Sequence, residues 1–117
     1  MRDREISEIG KKKVYKTELL LSSELKENEV LQVELTGRPP IALYNLGGQF
    51  FATDDTCTHG NASLSEGEIE EGKIYCPFHD GAFDIRTGQA AGAPCSSPVQ
   101  TYTLQLEGDK IFILLDE

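Results

Sequence analysis

The sequence predicts an all-β domain with an antiparallel sandwich or barrel base, on three observations. Apolar residues recur far more often at a period of two than at 3.6, turn residues punctuate the chain at short regular intervals, and only Ser22–Asn28 carries a helical signal. With 117 residues the chain fits one domain, 1–117, built around one core.

In chain order, Lys11, Lys12 and Lys13 read as an exposed lead-in to a first strand at Val14–Thr17, and Ser22–Asn28 as a helical turn with Ser23 as its cap. Leu31, Val33 and Leu35 alternate with polar neighbours inside a strand at Glu29–Thr36. Gly37-Arg38-Pro39-Pro40 is a turn leading into Ile41–Leu46, and Gly47-Gly48 a tighter one leading into Phe50–Thr53. Strands at Lys73–Cys76 and Ala82–Ile85 lie between the turns Glu71-Gly72 and Thr87-Gly88. The last pair, Thr101–Leu106 and Lys110–Leu115, flanks Glu107-Gly108-Asp109.

Composition excludes several classes. No stretch approaches the ~18 apolar residues of a spanning helix, so no membrane insertion is expected. Met1-Arg2-Asp3-Arg4-Glu5 leads into no apolar segment, which makes the cytoplasm the expected compartment. Net charge is −9, and because residues 1–16 are locally +3 the remaining body carries −12. Such a body repels nucleic acid, and it suits either a solvated surface or docking on a basic partner.

Two segments do not fit strand-and-turn packing. Cys57-Thr58-His59-Gly60 and Cys76-Pro77-Phe78-His79-Asp80-Gly81 together give C-x-H, sixteen intervening residues, then C-x-x-H. That pattern takes both histidines and two of the three cysteines, and it marks a metal site at Cys57, His59, Cys76 and His79. Structural zinc also uses Cys₂His₂, but usually as a cysteine pair followed by a histidine pair. Here each segment supplies one ligand of each kind, and the one-residue spacer of Cys57-x-His59 suits two metal atoms better than one. A Rieske [2Fe–2S] centre has that division, with two cysteines on one iron and two histidines on the other. Zinc stays open as the alternative.

The segments C-T-H-G and C-P-F-H-D-G, followed by Phe83-Asp84 and Thr87-Gly88, resemble the Rieske-type ferredoxins of bacterial aromatic-ring-hydroxylating dioxygenase systems. The resemblance extends to Ala42-Leu43-Tyr44, Phe51-Ala52-Thr53, Leu64-Ser65-Glu66-Gly67, and the stretch from Gly92-Ala93-Pro94-Cys95 to Pro98, which resembles a third loop covering the cluster. It implies a Rieske fold: a larger β base with a small inserted cluster-binding subdomain at about 54–84. It also implies a monomeric one-electron carrier, not an enzyme, that accepts electrons from a flavin-dependent, NAD(P)H-oxidising ferredoxin reductase and delivers them to a terminal oxygenase. A small subunit of an assimilatory nitrite reductase is the alternative within the wider family.

Absences refine the expectation. Ala62 and Phe78 stand where high-potential respiratory members carry a disulfide, and Gly81 and Phe83 where they present Ser and Tyr hydroxyls to the cluster sulfurs. Without those hydrogen bonds the potential should lie near the low end of the Rieske range, roughly −150 mV. Both histidines are committed, so none is left for the facial triad of a mononuclear iron oxygenase. No G-x-G-x-x-G is present for a dinucleotide. Among the rest, Asn61-Ala62-Ser63 is expected to be an unmodified sequon and Cys95 an unligated thiol of the third loop. Asp80 either tunes the neighbouring imidazole of His79 or faces solvent.

Overall fold

The computed structural model describes residues 3–9, 12–58, 62–77, 81–92 and 97–116. Among these residues eleven strands form two antiparallel sheets. In chain order they are β1 (Asp3–Ile9), β2 (Lys12–Leu21), β3 (Glu29–Leu35), β4 (Arg38–Leu46), β5 (Gln49–Asp54), β6 (Glu68–Glu70), β7 (Lys73–Tyr75), β8 (Ala82–Asp84), β9 (Ala90–Gly92), β10 (Thr101–Glu107) and β11 (Lys110–Asp116). The base is a seven-stranded sheet in the order β1-β2-β11-β10-β5-β4-β3, and the smaller sheet runs β6-β7-β8-β9. Short 3₁₀ turns at Ser22–Glu24 and Leu64–Glu66 are the helical elements among the described residues.

Central strand β4 explains how one chain builds two cores. Its residues Ile41 to Leu46 are all buried, as expected for a strand covered on both faces. Alternation divides them. Ala42, Tyr44 and Leu46 pack under the small sheet with Leu64, Ile74, Phe83, Ile85 and Val99, whereas Ile41 and Leu43 join Leu25, Val33, Leu35, Ile111 and Ile113 in the core of the base. The two cysteines of the ligand pattern lie in the first of these clusters.

Several expectations need correction. Arg38, Pro39 and Pro40 belong to β4 rather than to a turn, because the β3–β4 ladder slips between Val33 and Leu35 and so tolerates residues that cannot donate a ladder bond. The helical segment is a single 3₁₀ turn. It is capped not by Ser23 but by the Glu24 carboxylate, which accepts the Leu21 N–H at 2.8 Å. Lys12 and Lys13 are strand residues of β2, paired with β1, a strand that the alternation did not reveal. Strand β9 adds a fourth member to the small sheet, whose other three strands lie inside the expected subdomain at about 54–84.

Candidate metal centre

The two ligand segments are closed in the same way. After Thr56, which pairs with Ser63 in an isolated bridge, the Cys57 N–H donates to the carbonyl of Ala62 at 2.9 Å. After Tyr75, which pairs with Ala82 at the end of the β7–β8 ladder, the Cys76 N–H donates to the carbonyl of Gly81 at 2.7 Å. Each is therefore a six-residue loop whose first residue is a cysteine and whose mouth is fixed by a β-type pair. Cys57 is 3% exposed and Cys76 is 2% exposed, and both sit among Ala62, Leu64, Ile74 and Phe83.

That environment suits a neutral-to-anionic iron–sulfur group. It offers two thiols from separate loops in one apolar cluster that excludes water, which is the donor chemistry that holds one iron of a [2Fe–2S] unit. His59 and His79 lie outside the described residues, as do Asp80, Phe78, Asn61 and Cys95. Among the described residues no group of three or more His, Cys, Asp or Glu side chains converges.

Neighbouring segments hold the loops in place. The Thr58 hydroxyl donates to the Ser97 carbonyl at 3.0 Å, which ties the first ligand loop to the segment that follows Cys95. Beyond β8, the Asp84 carboxylate accepts the N–H groups of Arg86 and Thr87 at 2.9 and 3.1 Å, and the Gly88 N–H donates to the Asp84 carbonyl at 2.7 Å. Gly88 has φ +80°, and a Cβ there would stand 2.3 Å from the Val99 carbonyl oxygen, so only glycine fits. These contacts give the Phe83-Asp84 and Thr87-Gly88 motifs a physical reason: they fold the chain back from the second loop towards the third.

Beneath the cysteines, Tyr44 is fully buried and its hydroxyl shares a 2.9 Å hydrogen bond with the Thr53 hydroxyl. Burial drives its pKa well above the ordinary phenol value, and the Asp55 charge adds to the rise, so the phenol stays neutral. The surroundings are acidic. Residues 54–84 contain eight acids against Lys73, and Glu66, Glu68, Glu70 and Glu71 are exposed.

Asp54 and Asp55 are adjacent members of this acidic set. The structure separates them. Asp54 accepts a hydrogen bond from the Tyr102 hydroxyl in the base, whereas Asp55 is buried and bound to Gln32 and Ser65. Burial of one of two adjacent acids has no sequence signature, although a β-strand's alternation would allow it.

A family model described as the Rieske [2Fe-2S] domain matches residues 16–103. The ferredoxin component of the p-cumate 2,3-dioxygenase system of Pseudomonas putida is 43% identical over 96 residues, covering 81% of each chain. The Sphingomonas yanoikuyae B1 ferredoxin superposes with a TM-score of 0.81 at 41% identity, covering 84% of this chain and 96% of that one. A chain in the complex of reduced oxygenase and oxidized ferredoxin in carbazole 1,9a-dioxygenase has the same TM-score at 38% identity, covering 84% and 91%. Nitrite reductase small subunits are also similar, but at 18–19% identity this is a likeness of fold alone. The matched span begins inside β2, so β1 lies outside it.

Proposed function

The chain belongs to the Rieske [2Fe-2S] domain family, and from that membership we infer that it is the ferredoxin component of an aromatic-ring dioxygenase system, a carrier of single electrons rather than an enzyme. The observation that carries the reading is the pair of six-residue loops, each opening on a buried cysteine in one shared apolar cluster. When bound there, a Rieske cluster supplies the one-electron couple. The side chains do the rest: Cys57 and Cys76 hold one iron, and His59 and His79 hold the other. This division rests on the C-x-H and C-x-x-H spacing and on the matched closure of the loops.

Electrons enter from a flavin-dependent ferredoxin reductase and leave to a terminal oxygenase. The ferredoxin of 38% identity described in complex with its oxygenase supports the second partner; the first is the partner that the likeness to dioxygenase ferredoxins implies. No helix among the described residues is long and apolar enough to cross a membrane, and we place the chain in the cytoplasm as a monomer of one domain, with the cluster held by a subdomain at about 54–84. Relatives named as dioxygenase ferredoxins at 43% identity favour this reading over the nitrite reductase subunit.

Reoxidation kinetics test it. The reduced protein should be oxidised rapidly, in a second-order reaction, by a terminal ring-hydroxylating oxygenase and not by a sirohaem nitrite reductase. The opposite preference would transfer the chain to the nitrite reductase branch.

A further inference from the structure

We propose that Asp55 is the positioning residue of the first ligand loop, its carboxylate standing in for a strand ladder that this loop lacks. The inference rests on the reading that Cys57 and His59 are cluster ligands. The second loop is carried by β7 and β8, which pair over three residues up to its mouth. The first has no such support: β5 ends at Asp54, and a single bridge, Thr56 with Ser63, closes the mouth.

Asp55 extends that bridge by one further bond, through its carboxylate. It is 1% exposed and is the buried carboxylate among the described residues. Its main-chain carbonyl accepts the Leu64 N–H at 2.6 Å, which with the Cys57–Ala62 bond makes up the Thr56–Ser63 bridge, and its Oδ1 accepts the Ser65 N–H at 2.8 Å, one residue further along the returning chain. Its Oδ2 accepts the Gln32 side-chain N–H at 2.8 Å, and its own N–H donates to the Pro40 carbonyl at 3.2 Å. These partners belong to β3 and β4 of the base. Asp55 therefore joins the stem of the first loop to the base sheet two residues before Cys57. All of its polar groups are satisfied, which is the condition for burying a carboxylate.

Two substitutions separate geometry from charge. Asp55→Asn keeps an oxygen for the Ser65 N–H, and its amide N–H can donate to Gln32 once that exposed side-chain amide turns over. Asp55→Ala removes both contacts. In the holoprotein, iron release to a chelator should be roughly tenfold faster or more in Asp55→Ala, the effect of leaving buried donors unpaired. Its EPR signal should broaden, and Asp55→Asn should restore both towards the parent. Parental release from Asp55→Ala, or equal release from both variants, would overturn the proposal. If Asp55→Ala does not fold, Gln32→Leu removes one contact from an exposed position and should still speed release a few fold; a parental rate would overturn the proposal. Amide exchange at Ser65, whose acceptor is the carboxylate, gives a readout that does not depend on the ligand assignment. Protection there should fall in Asp55→Ala, and unchanged protection would overturn the clamp. Parent protein lacking iron and sulfide would overturn the functional reading instead.

Discussion

Gly67→Ala probes a close backbone approach between the exit of the first ligand loop and the entry of the second. Gly67 follows the Leu64–Glu66 turn, and its N–H donates to the Leu64 carbonyl at 2.9 Å. Its φ of −87° is open to any residue, so backbone strain is not the reason for glycine. Space is the reason. A Cβ would lie 1.9 Å from the carbonyl oxygen of Tyr75, where contacts under 3.0 Å essentially never occur, so one backbone must shift by more than an ångström. Tyr75 pairs with Glu68 and immediately precedes Cys76. The shift is therefore delivered to Cys76, a proposed cluster ligand. Overpacking against backbone costs about 1–3 kcal/mol, and at roughly 4 °C per kcal/mol for a domain of this size the melting temperature should fall by about 4–12 °C. Gly108→Ala is the control: at φ +62° with no atom within 4 Å of the new Cβ, it should cost about 1 kcal/mol in backbone strain and leave the cluster intact. Thermal melts by far-UV circular dichroism, paired with iron and sulfide analysis, read both effects. Parental melting with full iron in Gly67→Ala, or equal iron loss in both variants, would refute the steric argument.

Alkaline stability should respond to Tyr102, whose phenol is pushed up to about 12 by burial first and then by its hydrogen bond to Asp54, against the lowering effect of Arg38 at 3.0 Å. The native state holds this proton more tightly than the unfolded chain, with its phenols near 10. The contribution is therefore complete below about pH 10 and is lost as pH rises towards 12. Tyr102→Phe should flatten part of that decline in urea titrations between pH 9 and 11.5; an unchanged slope would contradict the assignment. Gly81→Ser with Phe83→Tyr should raise the reduction potential measured by protein-film voltammetry, since hydroxyl donors to sulfur favour the added electron. No rise in a variant that keeps full iron would count against that account of the low potential. Electron transfer to the oxygenase should slow as salt rises, with Asp80→Asn and the exposed Glu66→Gln costing more than Glu34→Gln on β3. Salt-independent rates in stopped flow would rule out docking on an acidic face. Glu107→Gln should instead lower stability, because Glu107 is ion-paired with the buried Lys16.

The long half-buried strands were legible because alternation and turns coincide there: Val33 and Leu35 locate the buried face of β3, although Leu31, two residues earlier, is exposed, and Gly108 separates β10 from β11. Strands β6 and β9, at three residues each, are too short to show a period. β1 is dense in charge and carries no apolar alternation to mark it. Pro39-Pro40 reads as a turn in sequence because the irregularity that accommodates it arises only from pairing with β3. At the proposed centre, the C-x-H and C-x-x-H spacing marked Cys57 and Cys76 as candidate ligands, and the fold brings both into one buried cluster. What holds their loops was not legible. Asp55 and Gly67 act through a buried carboxylate and a close backbone approach, and both arise only when distant segments meet.

The central claim is that Cys57, His59, Cys76 and His79 hold one Rieske [2Fe–2S] cluster. Iron and acid-labile sulfide per chain, measured with the EPR spectrum of the dithionite-reduced protein, test it most directly. The account predicts about two of each and a rhombic Rieske signal in the parent, with both lost in Cys76→Ser. A zinc-loaded parent without visible colour, or a Cys76→Ser protein with full iron and an unchanged spectrum, would contradict it.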